Sequence, residues 1–134
     1  MTITQEQVHE LAPFTRTLGV EFGEMAAEQV VASLAVTPER CTVGSTLHGG
    51  ALMGLTDSTA AVCAVLNMPP GAGGTTTVAA TTNFLRPAPL GRVTATARPL
   101  HKGRTTVVLE VDVRDDAGKL VARTTQTQAF LPAG

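Results

Sequence analysis

Between Cys41 and Leu85 the chain carries a single Asp, Glu, Lys or Arg, which is Asp57. Charged residues make up 16% of the whole sequence, so the gap is local and is not a product of composition. A stretch so poor in charge belongs inside a fold or against an apolar ligand, because charged side chains collect at exposed positions. Within it Leu52, Leu55, Thr59, Val62 and Leu66 recur at spacings of three and four, the period of a helix. The other side carries Ala51, Gly54, Ser58, Ala61 and Val65, mostly small, so a neighbouring backbone or ligand can come close. A helix that is apolar nearly all round is a buried helix. At about 1.5 Å per residue it extends roughly 25 Å, enough to run along a whole sheet.

The segments around this helix read mostly as strands. "TQEQVHELAPF" opens with a short helix, Thr4 being the N-cap and Gln7 its capping-box partner, and Pro13 ends it. "LGVEFGEM" and "QVVASLAVTPE" alternate as a hairpin, with Glu24 to Gln29 as the connection. Val30, Ala32, Leu34 and Val36 share one face of the second strand. "CTVGSTLHGG" is loop, and "NMPPGAGG" is a mobile loop after the helix. Four strands follow: "TTTVAATTNFL", "RVTATARPL", "RTTVVLEVDVR" and "KLVARTTQTQAFL". The turns "RPAPLG", "HKG" and "DDAGK" join them, and connections this short favour antiparallel neighbours. The expected architecture is α+β, one curved antiparallel sheet of about six strands around a long central helix. Residues 1–134 are expected to form one domain, with no repeat or linker.

Composition excludes several classes of function. A net charge of −1 offers no electrostatic footprint for nucleic acid or an anionic membrane. Four Phe with no Tyr or Trp make no base-stacking surface. Cys41 and Cys63 do not form a disulfide framework and are expected as reduced thiols, Cys63 in the core. The N-terminus lacks the pattern of a signal peptide, and no apolar run reaches the roughly 18 residues of a membrane span. The cytoplasm is the expected location. His9 and His101 read as surface residues. One His, one Asp and a distant Cys41 have no metal-ligand spacing, so no metal or cofactor is expected.

Asp57 has no Lys or Arg close in sequence. It can face solvent, pair with a distant Arg, or accept hydrogen bonds from Ser58, Thr59 or threonines on a strand. A fourth reading starts from "HGG" at the helix start. Gly49 and Gly50 leave uncovered N–H groups at the positive end of the helix dipole, which suits a carbonyl oxygen gaining negative charge. Asp57 lies two turns further in, too far to serve that oxygen in the same chain. A second helix, antiparallel across a dimer seam and packed on the small face, would bring another subunit's Asp57 there.

"TLHGGALMGLTDSTAA" resembles the signature of the hotdog-fold acyl-CoA thioesterases of the phenylacetate-degradation type, which is H-G-G followed by an acidic residue nine positions after the histidine. The resemblance runs from about Leu18 to Leu131 and includes "NFLRPAPLG" and "KGR". It implies hydrolysis of an acyl-CoA. Gly49 N–H would bind the thioester carbonyl, with Gly50 beside it among the substrate contacts. His48 would place the sulfur end. Asp57 of the facing subunit would act as general base or nucleophile, and Thr77 would orient the water. Thr42 stands where many relatives have Asn, near the leaving group. Arg86, Lys102 and Arg104 are candidates for the coenzyme A phosphates. A homodimer or homotetramer is the implied assembly. A hotdog hydratase or dehydratase and a non-catalytic acyl-CoA-binding protein are the alternatives. The sequence contains no G-x-S-x-G elbow that would argue for a serine triad.

Overall fold

The computed structural model describes residues 1–134. Helix α1, Gln5–Leu11, starts with the expected capping box: Gln7 N–H donates to Thr4 Oγ1 at 3.2 Å and Thr4 N–H donates to Gln7 Oε1 at 2.8 Å. Pro13 does not end helical structure here. It occupies the first position of a second helix, α2, Pro13–Leu18, where a missing N–H forfeits no intrahelical bond. Strands β1, Glu21–Ala26, and β2, Gln29–Val36, form the hairpin, joined by Ala27 and Glu28 in a tighter turn than expected. Val30, Ala32, Leu34 and Val36 are buried, as the alternation predicts. The expected loop at 41–50 holds a minimal hairpin, β3, Cys41–Thr42, and β4, Thr46–Leu47, and its last two residues already belong to the central helix. Its turn takes Gly44 and Ser45 through left-handed backbone, φ 84° and 56°.

Helix α3, Gly49–Leu66, buries Leu52, Leu55, Thr59 and Val62 together with Ala60, Cys63 and Ala64. Its 18 residues are long and apolar enough to cross a membrane, contrary to the run-length expectation, but the sheet wraps it as a core helix. The small face is covered from within the chain. A Cβ on Gly54 would lie 2.8 Å from Leu18 Cδ2, so α2 packs where a partner's helix was expected.

The remaining strands are β5, Ala72–Phe84; β6, Gly91–Lys102; β7, Thr106–Arg114; and β8, Leu120–Pro132. The sheet runs β1-β2-β6-β7-β8-β5, antiparallel throughout. Contrary to the expectation from connection length, β5 and β6 are not neighbours. Residues 85–90 cross β8 and β7, a span of about 14 Å that an extended segment of that length covers. Leu85 N–H donates to Val121 O at 2.8 Å and Leu47 N–H to Ala88 O at 2.9 Å, which pins the crossing.

The expected mobile loop after α3 is shorter, because β5 begins at Ala72. Buried Asn67 caps α3 and donates from Nδ2 to Ala27 O and Cys63 O, each at 2.8 Å, tying the helix end to the β1–β2 turn. His9 is buried rather than on the surface. Its Nε2 lies 3.0 Å from Val20 O and its ring stands edge-on to Phe22, so it anchors α1 to the start of β1.

Burial pushes the Cys63 thiol up from 9.0 to about 11, with a smaller contribution from Glu28. The folded chain therefore keeps this proton to higher pH than the unfolded chain does. Stability is full below pH 9 and should fall by ~1.4 kcal/mol per pH unit between about 9 and 11. No Tyr ionises in that window, since the chain has none. Denaturant unfolding across pH 8–11 should show this slope, and Cys63→Ala should flatten it.

Candidate active site

The start of α3 is built by His48 and the glycines after it. His48 is the N-cap, and its Nδ1 accepts the Gly50 N–H at 2.8 Å. The ring proton therefore sits on Nε2. A Cβ on Gly50 would lie 3.0 Å from that Nδ1, so Gly50 makes room for the cap. Its amide is committed to His48 and is not open to a substrate. The Gly49 N–H precedes it, with no carbonyl inside the helix to accept it. Gly49, Phe84 and Arg86 line one open cavity of about 370 Å³ together with Leu47 and Ala88. His48 N–H donates to Arg40 O at 2.9 Å, fixing the helix start beside the β3–β4 hairpin on which Thr42 is exposed.

Asp57 lies roughly 12 Å along the same helix axis. It is exposed, and its Oδ1 accepts from Thr77 Oγ1 at 3.2 Å and from Gln126 Nε2 at 2.9 Å. Its Oδ2 accepts no hydrogen bond from the chain. Two of the plain readings of this residue thus hold at once, solvent exposure and a bond from a strand threonine. The third, an ion pair with a distant Arg, does not.

Thr77 accepts from Gln128 Nε2 at 2.8 Å and from Gln126 Nε2 at 3.1 Å, so its hydroxyl hydrogen is left for Asp57. A bulge in β5 sets this geometry. Thr77 pairs with Gln128 and Ala79 with Thr127, leaving Val78 between them without a partner. The extra residue shifts the phase of the strand, so Thr77 and then Thr82 both reach the helix side. Thr82 Oγ1 meets buried Thr124 Oγ1 at 2.8 Å.

Gln126 and Gln128 escaped the reading of the sequence. Both are about 1% exposed and stand opposite the core residues Leu109 and Val107 on β7. The available signal was the phase of "TTQTQ", which puts Thr124, Gln126 and Gln128 in register with the inward valines of β7. Reversing the Gln126 amide would set its oxygen against the Asp57 carboxylate, so the donor faces Asp57. The consequence is that Gln126 Oε1 is buried with no partner.

The chain brings Arg86 to the cavity at Gly49. It does not bring Lys102 and Arg104 there. They lie at the β6–β7 turn, where Arg104 lines a separate cavity with Pro70, Ala72 and Phe130. No group of three His, Cys, Asp or Glu side chains comes together as a metal site.

Residues 44–122 match the Thioesterase superfamily, a range that holds His48, Asp57 and Thr77. A protein of Mycobacterium tuberculosis named as an esterase is 34% identical over 113 residues, which cover 83% of this chain and 81% of that protein. Among solved structures, a thioesterase of Haemophilus influenzae superposes with a TM-score of 0.90 at 25% identity, covering 99% of this chain and 94% of that one. The PaaI protein of the E. coli phenylacetic acid degradation operon superposes with a TM-score of 0.85 at 25% identity, covering 96% and 91%.

Gln126→Leu removes a donor to Asp57 and a buried carbonyl without a partner in one step. The two bonds lost from Nε2, to Asp57 Oδ1 and to Thr77 Oγ1, at about 1 kcal/mol each, are offset by relief of the orphaned oxygen. Folding stability should change by no more than ~1 kcal/mol. The Asp57 side chain should pass from one rotamer to several, read from its three-bond couplings by NMR.

Proposed function

Because the chain belongs to the thioesterase superfamily, and has the hotdog arrangement of one antiparallel sheet around one helix, we propose that it hydrolyses acyl-CoA thioesters at a site completed by two copies of itself. The observation that carries this reading is Asp57. It is an exposed carboxylate, held at one oxygen by Thr77 and Gln126 and free at the other. The free oxygen is available to take a proton or to attack an electrophile.

The oxyanion donor and the carboxylate lie about 12 Å apart on one helix, so one chain cannot apply both to the same carbonyl. The edge of β5 supplies the means of joining two chains. The strand pairs on one side only, with β8, and its 13 residues include no charge to keep another strand away. Antiparallel pairing of two β5 edges continues the sheet and sets the two α3 helices antiparallel on its inner side. The His48–Gly49 end of one helix then approaches Asp57 of the other.

In this arrangement the thioester carbonyl accepts the Gly49 N–H at the positive end of α3, where developing negative charge is stabilised. His48 Nε2–H, fixed by the Nδ1 cap, is a second donor for the carbonyl or the departing sulfur. Asp57 Oδ2 takes a proton from water as the water's C–O bond forms, or attacks the carbon itself to give a mixed anhydride that water then hydrolyses to the free acid and the carboxylate. The C–S bond then breaks and the thiolate takes up a proton. Arg86 lies on the carbonyl side of the site, and Lys102 and Arg104 at the β6–β7 turn. As cations all three suit the phosphates of coenzyme A.

Asp57→Asn keeps the shape and removes both roles of the carboxylate. It should leave the melting temperature and the dimer unchanged, by thermal unfolding and sedimentation, and lower kcat on acyl-CoA by roughly 10²–10⁴. Near wild-type turnover in a folded Asp57→Asn protein would remove the carboxylate from the chemistry.

A further inference from the structure

A threonine hydroxyl has one hydrogen to give and two lone pairs to accept with. At Thr77 Gln126 Nε2 and Gln128 Nε2 fill both lone pairs, at 3.1 and 2.8 Å, and the hydrogen goes to Asp57 Oδ1 at 3.2 Å. The family resemblance implies that Thr77 orients the attacking water, but this hydroxyl has neither a hydrogen nor a lone pair left for a water molecule. We infer that Gln126 and Gln128 are positioning residues: the two amides hold Thr77 as a donor to Asp57, and Asp57 Oδ2, not Thr77, is the atom that meets the water. The effect on turnover rests on the thioester-hydrolase reading of Asp57; the direction of the hydrogen bonds does not.

The two glutamines are two positions apart on β8, so both side chains leave the same face of the strand. Each is about 1% exposed, and solvent does not compete for its amide. Gln128 stands directly opposite Thr77 in the β5–β8 pairing. The reverse direction of this bond is unfavourable. If Thr77 gave its hydrogen to a Gln128 oxygen, a lone pair of Oγ1 would face the Asp57 carboxylate at 3.2 Å. The buried Oε1 of Gln126, which has no partner, is an independent sign that the donor matters at this position. An apolar residue such as Val107 or Leu109 on the adjoining strand would leave no orphaned group. The amide stays for its 2.9 Å bond to Asp57. Both donors converge on Oδ1, so the carboxylate cannot exchange its two oxygens without breaking two bonds.

The experiment places Gln126→Leu, Gln128→Met and Thr77→Val singly in the full-length protein, and combines each glutamine variant with Thr77→Val. Turnover is measured with hexanoyl-CoA and benzoyl-CoA, and the rotamers of Asp57 are read from its three-bond couplings by NMR. Gln128→Met should lower kcat roughly threefold and Gln126→Leu roughly tenfold, with KM within about twofold, because both act on Asp57 and not on bound substrate. Thr77→Val should release Asp57 into several rotamers, which the loss of a hydroxyl that only holds water would not do. With Thr77→Val in place, Gln128→Met should change kcat by less than about 1.5-fold, since its route to Asp57 is gone, while Gln126→Leu should still cost several-fold through its own bond. A merely structural role for Gln128 would give the same loss in both backgrounds. If a glutamine variant fails to fold, Thr77→Val still decides, because Thr77 is exposed and its replacement leaves the core intact. A single Asp57 rotamer in Thr77→Val, or an equal loss from Gln128→Met with and without Thr77, would overturn the inference. Undiminished kcat in variants whose Asp57 is mobile would sink the hydrolase reading and leave the hydrogen-bond assignment standing. Loss of turnover in Asp57→Asn, with kcat and a single Asp57 rotamer kept in both glutamine variants, would do the reverse.

Discussion

The burial of α3 against the inner faces of β2, β6 and β7 is the contact on which the rest of the molecule depends. Leu55, Thr59, Ala60, Cys63 and Ala64 are fully enclosed, facing valines and alanines such as Val93, Ala95, Val111 and Val113 that are equally so. Removal of this apolar surface from water is the largest favourable contribution open to a chain of this size. It also fixes α3 in rotation and along its axis. His48 at the start of the helix and Asp57 two turns later are thereby placed by apolar packing, and the long-range bonds from Thr77 and Gln126 then hold the Asp57 side chain.

The candidate site lies where this core gives out. Along β8 the inward face passes from Ala122 through Thr124 to Gln126 and Gln128, all buried. Polar groups withdrawn from water need partners, and they find them in Thr82, Thr77 and Asp57. The partners of Asp57 thus come from the sheet. The amides donate, Thr77 passes its one hydrogen on, and the carboxylate receives two bonds at one oxygen. A core of valines along β8 would leave Asp57 with the Thr77 bond alone.

The unpaired edge of β5 and the cavity beneath α1 both belong to this margin. The bulge at Val78 turns Thr77 towards Asp57 and bends the strand whose outer edge has no neighbour. On the other side, α2 covers Gly54, and a cavity remains between the N-terminal helices and Ser58 and Ala61, beside Asp57. One residue on α3 therefore touches the sheet edge, the strand network and the cavity.

The sequence by itself determined the elements. The three-and-four spacing from Leu52 to Val62, the alternation from Val107 to Val113 and the capping box at Thr4 each depend on neighbours within a turn or two, and each is seen where the pattern puts it. The helix start and the solitary charge of Asp57 were legible for the same reason. What lies between elements was not. The β5–β6 crossing, the burial of His9 and the cover over Gly54 depend on which surfaces meet across the fold, which no local spacing encodes. The phase of β5 was hidden by one bulged residue, since a shift of one position exchanges the two faces of a strand. Gln126 and Gln128 read as ordinary polar residues of a late strand until pairing with Leu109 and Val107 turned them inward. Only the tertiary structure decided that Asp57 is held by two strands and borders a cavity, because those contacts join residues 20 and 69 positions apart.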